Sequence, residues 1–386
     1  MQSSRCIVPK RSPKKPSLLV HFATLPEPRR AASRITHPLL TIVGVVLVGM
    51  LCGADGWDEI ETIAEGKRDW LSRWLDLRAG VPSADTLQRV FRLLQPQAFQ
   101  ACLSTWMRSL VGDLKDRVLA IDGKTLRGVG THSDRTLHLV HVWATEARVL
   151  LGMTGTTGAP GELEATREML AWLDVRGAIL TTDANGCCRE NMGLMVEKGA
   201  QWLCSLKGNR GAMHERVTRF FQDIPVAVSE GDEVPRSASA QDAHGRLDVR
   251  HIAVASAAAA GVTEAQLPGV RSVIRVTRVR MVHGVLTRED QFYVSSLEAT
   301  PERFGEIILA HWGVENGLHW VLDAQLREDD CSVSAVQGAE NLAAMRRAAL
   351  VLLRRDGSLK KGVKIKSKRA ACDNAYLAHL LLGETA

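Results

Sequence analysis

The sequence predicts an α/β protein: a mixed sheet flanked by helices, carrying a β-rich insertion and preceded by an all-α N-terminal domain. Three observations predict it. Apolar residues keep a helical period up to about residue 112. From "DRVLAIDGKTLRG", 116–128, the apolar runs shorten and are punctuated by glycine, as in strands. Strand and helix patterns then alternate to about residue 210, and β-like stretches dominate from there to about 300.

The chain's 386 residues suffice for two or three domains, and 45% hydrophobic with 24% charged residues is the composition of an ordinary globular protein. A net charge of +6, unevenly spread, points to a polyanionic partner. Eight cysteines form no CxxC pair and no metal-ligand spacing, so they read as reduced, buried thiols in a cytoplasmic setting.

Residues 1–16, "MQSSRCIVPKRSPKKP", read as a disordered basic arm, and 17–112 as a helical domain. Within it, "LLTIVGVVLVGMLCGA", 39–54, holds sixteen uncharged residues. A membrane span needs roughly 20, and this run passes straight into "DGWDEIETIAE", so it reads as a buried core helix with no membrane partner. Pro38 can open it. Ser83 is the N-cap candidate of the helix in "PSADTLQRVFRLLQ".

The second domain, 113–335, starts with "RVLAID", read as a strand ending at Asp122 with Gly123 forcing a turn. "LHLVHVWATEARVLLGMTG" is two strands around "ATEA", and "GELEATREMLAWLDVRG" is an amphipathic helix. "AILTTDANG" is a strand with Asp183 at its end, "CRENMGLMVEKGA" a helix, and "QWLCSLKGN" a strand delivering Lys207 and Asn209 to a loop. This order is that of ribonuclease-H-like folds. The insertion spans about 210–300, and "AHWGVENGLHWVLD", 310–323, is a helix that follows it. The last part, 336–386, is helical and basic, with eight Lys or Arg and one Asp over 354–369.

In open α/β sheets sites form at the carboxyl ends of strands, where Asp122 and Asp183 stand. The helix at 310–323 returns Glu315 toward them, with His311, His319 and Asp323 at four-residue steps that stack along one slowly drifting stripe. Three converging carboxylates need a cation, and oxygen donors favour Mg²⁺ or Mn²⁺. Two such ions polarise a scissile phosphate and activate the attacking oxygen. Lys124, Arg127, Lys207 and Arg210 flank this site and could grip phosphates. His319 could position a phosphate oxygen, and Trp312 and Trp320 could stack on an unpaired base. The same residues have plainer readings: strand-end turns, surface cations, core aromatics and a solvated helix face. Zinc held by His311 and His319 lacks the HExxH order.

"LPEPRR…HPLL", "LCGADGWDEIE", "GVPSADTLQRVFRLL", "IDGKTLRG", "RGAILTTDANGC", "LKGN", "HGRLDVR", "YVSSL" and "HWGVENGLHWVLD…REDD" occur in that order. Together they resemble the DDE transposases of bacterial insertion sequences, in the branch of H-repeat-associated proteins linked to Rhs elements. The resemblance runs from about residue 18 to about 382. It implies a ribonuclease-H-like core and Mg²⁺-dependent cleavage of duplex DNA at transposon ends. Strand transfer and a homo-oligomer in the synaptic complex are implied with it. Its triad falls on Asp122, Asp183 and Glu315. The chain departs from the branch at "APGE", which keeps Glu162 of a usual Lys-Ser-Asn-Glu, at "ANGCC", where Cys188 replaces Gln, and at "KGNR", where Gln is usual. A DNA-binding protein derived from such an enzyme is the alternative.

Overall fold

The change of period near residue 116 marks a change of architecture. The computed structural model describes residues 17–30, 35–126, 137–157, 161–227, 234–243, 246–330, 333 and 335–382. The basic arm at 1–16 and Arg127 lie outside them. The chain divides into two units, one of residues 1–106 with 324–386, the other of 107–323.

The first unit is helical. Its earlier helices are α1 (Ser17–His21), α2 (Leu39–Leu51), α3 (Trp57–Gly66), α4 (Arg68–Leu71), α5 (Ala84–Leu93) and α6 (Pro96–Val111). Pro38 precedes α2, and Ile42–Leu51 is buried throughout, as a helix apolar on all sides must be. No described helix is long and apolar enough to cross a membrane. Ser83 caps α5, its Oγ accepting from the Thr86 N–H at 3.4 Å. The later helices are α12 (Val336–Arg355), α13 (Val363–Cys372) and α14 (Asn374–Leu382). Asn341 of α12 donates to the carbonyls of Phe91 and Leu94, both at 3.0 Å, satisfying the C-terminal end of α5. The basic run at 354–369 forms part of this fold. Lys366 is buried and donates to the Leu353 carbonyl at 2.9 Å and the Asp356 carbonyl at 2.5 Å.

The second unit is built on nine strands: β1 (Val118–Leu126), β2 (Leu137–Ala144), β3 (Val149–Thr157), β4 (Ile179–Thr182), β5 (Gln201–Leu206), β6 (Arg236–Ala243), β7 (Arg246–Ser256), β8 (Ser272–Val282) and β9 (Val285–Ser295). Their order in one sheet is β3-β2-β1-β4-β5-β9-β8-β7-β6. Among the described residues only β1–β4 and β4–β5 pair parallel. Helix α7 (Gly161–Trp172) links β3 to β4, and α8 (Arg189–Glu197) links β4 to β5. The stretch read as an insertion begins with a helix, α9 (Gly211–Gln222). Its four strands extend the central sheet, because β9 pairs antiparallel with the open edge of β5.

After β9, Thr300 caps α10 (Pro301–Val314), its Oγ1 accepting from the Arg303 N–H, with Pro301 in the first turn. Phe304, Ile307 and Ile308 of α10 share one core with Val118, Ile179, Leu203, Ile274 and Val276 of the sheet. Burial of these side chains, each worth about 2 kcal/mol, fixes α10 across the sheet face. That docking sets the height at which the chain after Val314 meets β1.

Candidate active site

Alternation along β1 puts Val118, Ala120, Asp122 and Lys124 on the face covered by α10. The parallel pairing with β4 ends at Ala120–Thr181. Asp122 and Asp183 each stand two residues past that last rung, so they lie side by side where the strands diverge. The predicted turn at Gly123 is absent: β1 continues to Leu126. Glycine is needed there for another reason, since a Cβ would collide with His138 Nε2 and Glu162 Oε1 on the opposite face. Asp183 leaves the strand through a turn of its own. Its Oδ1 accepts from the N–H of Asn185 at 3.0 Å and of Gly186 at 3.1 Å.

The predicted helix at 310–323 is three pieces. Between α10 and α11 (Trp320–Leu326) the residues Glu315–His319 form a π-helical turn. Four-residue steps overshoot a turn in an α-helix by about 40°, whereas the wider π turn falls short of one. The drift of the polar stripe is thereby reversed, and its lower half stays over β1. His319 Nδ1 lies 3.6 Å from Asp122 Oδ2, and Lys124 Nζ lies 2.7 Å from Asp323 Oδ1. Upstream, His311 Nδ1 hydrogen-bonds Thr181 Oγ1 at 2.9 Å. Burial pushes the His311 imidazole down to about 4, so it is neutral at pH 7.

Burial, with the charges of Asp183, Glu162 and Glu315, pushes the Asp122 carboxyl up to about 7, against the backbone N–H of Gly123 that favours its charged form. Asp122 therefore feels the charge of three other carboxylates. Among the described residues they form an open array, with no three His, Cys, Asp or Glu side chains closed around a point. An all-oxygen donor set with mutual repulsion suits Mg²⁺ or Mn²⁺, which take one or two carboxylates and complete their shell with water and substrate phosphate. Asp122, Asp183 and Glu315 fit that requirement.

Other expected residues have different placements. Lys124 is 7% exposed and is engaged by Asp323. Asn209 Nδ2 donates to the Ala184 carbonyl at 2.6 Å and Arg210 Nε to the Cys187 carbonyl at 2.8 Å, so both pin the loop that carries Asp183. Lys207 is exposed directly after β5. Trp312 and Trp320 are 46% and 57% exposed on the helix beside Glu315.

Sequence reasoning missed His141 and gave His138 no role. His141 is buried directly opposite Asp122 in the β1–β2 ladder, its ring 5.6 Å from that of His319. His138 bonds Thr125 Oγ1 at 2.9 Å and stands 3.8 Å from Glu162. The signal was the pair of histidines in "LHLVHV", unreadable without the hairpin register.

Asp122 and Asp183 thus stand where two parallel strands part, and Glu315, on the turn after α10, is close enough for its charge to act on Asp122. The chain belongs to the transposase DDE domain family, whose model matches residues 113–352, while the DDE_Tnp_1-associated model matches residues 19–107. It is similar to the "H repeat-associated putative transposase YhhI" of Escherichia coli K12, 31% identical over 95% of this chain and 98% of that protein. The "Putative protein YbfL" of the same strain shows the same identity and the same shares of both chains. The "Putative transposase YncI" of E. coli O157:H7 is 30% identical over 95% of this chain and 94% of that protein.

Proposed function

We propose that the chain is a DNA transposase of an insertion sequence, cutting phosphodiesters at the element's ends and joining the freed 3′-hydroxyls to target DNA. Its substrates are duplex terminal repeats and target duplex, bound by a homo-oligomer that holds two ends together, in the bacterial cytoplasm at the nucleoid. The strand order β3-β2-β1-β4-β5 supports a ribonuclease-H-like core. We assign catalysis to 113–335 and DNA contacts to the helical segment 17–112.

The observation that carries this reading is that Asp122 and Asp183 stand side by side past the last rung of the β1–β4 pairing, with Glu315 close enough for its charge to act on Asp122. Asp122, Asp183 and Glu315 would hold Mg²⁺ or Mn²⁺. Two such ions, when bound, supply polarisation of the scissile phosphate and activation of the attacking oxygen. The protein's own part is positioning. Asn185 and Gly186 N–H groups fix the Asp183 carboxylate, and Asn209 and Arg210 brace its loop. His319 orients Asp122, and the Lys124–Asp323 pair holds the turn bearing Glu315 against β1. Exposed Trp312 and Trp320 offer stacking surfaces to DNA bases, and Lys207 a phosphate contact.

The test is cleavage and strand transfer on labelled DNA bearing the element's ends, with Mg²⁺, Mn²⁺ or EDTA, beside Asp183→Asn and Glu315→Gln. Metal-dependent products, reduced about 10³-fold or more in both variants with DNA binding retained, are the expected result. Tight binding without product under either metal overturns the reading and leaves a DNA-binding protein.

A further inference from the structure

The helical unit has a charged cleft of its own. It encloses about 350 Å³ and is lined by Asp55, Arg327, Arg346, Lys364 and Lys368 among others. Four cations face one carboxylate. Asp55 is itself engaged by Arg327, whose Nη1 lies 2.8 Å from its Oδ2 and whose Nε lies 2.9 Å from Asp330 Oδ2.

Arg346 is the anomaly. It is 2% exposed on α12. The adjacent Arg347 occupies both oxygens of buried Glu328, at 2.5 and 3.1 Å. Arg346 Nη1 comes only within 3.8 Å of the same carboxylate. Its Nε and Nη2 have no hydrogen-bond partner among the described residues. Two buried guanidiniums therefore share one carboxylate, and the one lining the cleft keeps unmet donors.

A buried guanidinium with unmet donors is costly, and proteins normally answer it with an acceptor. A planar fork of N–H donors, with lysines at the mouth, matches the oxygens of a tetrahedral oxyanion. We propose that this cleft is a phosphate-binding site. Arg346 donates to the phosphoryl oxygens from Nε and Nη2, while exposed Lys364 and Lys368 on α13 add charge at the opening. The ligand is a phosphoryl group, either of the DNA backbone or of a free phosphorylated solute. The inference is independent of the carboxylate chemistry assigned to residues 113–335.

The test is thermal unfolding and calorimetric titration of the full chain with inorganic phosphate, against chloride at equal ionic strength. Variants are Arg346→Met and the exposed double change Lys364→Ala/Lys368→Ala. Phosphate is expected to raise the melting temperature of the wild type, and its affinity is expected to fall roughly tenfold or more in each variant. In chloride, Arg346→Met should melt no lower than wild type, since the unmet charge is gone. Should that variant fail to fold, the double lysine variant decides alone. Equal responses to phosphate and chloride, or equal phosphate affinity in wild type and the double variant, overturn the proposal. Competition of phosphate with an unrelated DNA duplex, lost in the double variant, assigns the site to backbone phosphate. Duplex binding indifferent to phosphate and to the variant, with phosphate still bound by the wild type, assigns it to a free solute.

Discussion

Lys124 Nζ lies 2.7 Å from Asp323 Oδ1, and the lysine is almost wholly buried in making that contact. One step back along β1, on the same face, Asp122 meets His319, one step back along the helix. The two pairs are successive rungs between a strand with a two-residue repeat and a helix with a four-residue step. Lys124→Met should lower stability by about 2 kcal/mol, less than for a fully buried pair because Asp323 is partly solvated. It should leave the salt dependence of DNA binding unaltered. Lys207→Ala should instead reduce the slope of log K against log salt by about one, with little change in melting temperature. Salt titrations of duplex binding beside urea melts separate the two lysines.

Two ionisable groups here pull stability in opposite directions with pH. Asp122, raised to about 7 when folded, binds its proton more tightly in the native state, so its contribution is lost as pH climbs from about 4 to 7. His311, depressed to about 4, is charged sooner in the unfolded chain, so its contribution is lost as pH falls below about 6.5. In metal-free protein the slopes oppose each other between about pH 4.5 and 6.5. Asp122→Asn should make the protein lose stability faster on acidification than wild type. His311→Gln, which keeps a partner for Thr181, should expose a loss on raising the pH. Each difference is bounded by about 1.4 kcal/mol per pH unit, and chemical denaturation in EDTA across that range measures it.

Gly123→Ala probes the packing beneath the carboxylates. The added methyl must displace the ends of His138 and Glu162, so a stability loss of about 1–3 kcal/mol is expected. Cleavage should fall further than that figure implies, because the shifted Glu162 is one of the charges acting on Asp122. Adding His138→Ala should restore melting temperature before it restores turnover, and a double-mutant cycle reads the difference.

Trp312 and Trp320 are large apolar side chains about half exposed, Trp312 with its ring edge-on to His311. Replacing Trp320 with alanine should change stability by less than about 0.5 kcal/mol, and replacing Trp312, which also packs on His311, by more. Loss of a base stacked on the indole should weaken DNA binding by about 1–3 kcal/mol. Fluorescence anisotropy of a labelled duplex, with single-stranded ends as a second probe, measures the effect.

Much of this arrangement is legible in the chain. The strand that carries Asp122, though not its end, the hairpin around "ATEA", the helix–strand alternation carrying Asp183, and the buried helix at 39–54 follow from periodicity and capping residues. What escaped was register and turn geometry. Gly123 is ambiguous in sequence, since a turn and a close approach both select glycine, and only the position of His138 decides between them. The π turn at Glu315–His319 has no hydrophobic signature, because its effect is on phase and not on which residues are apolar. His141 became a neighbour of Asp122 only once the β1–β2 pairing was fixed. Lys124 looked like a phosphate ligand because a partner two hundred residues away cannot be seen from spacing.

The helical unit is assembled from two stretches separated by the whole of 107–323. At about 5–20 residues per second of synthesis, α2 and α5 leave the ribosome roughly 13 to 60 seconds before α12, the helix that meets them, is complete. During that wait the side of α2 that meets α12, and the two carbonyls at the end of α5, have no intramolecular answer. A circular permutant that joined the two helical stretches in sequence would remove the delay altogether.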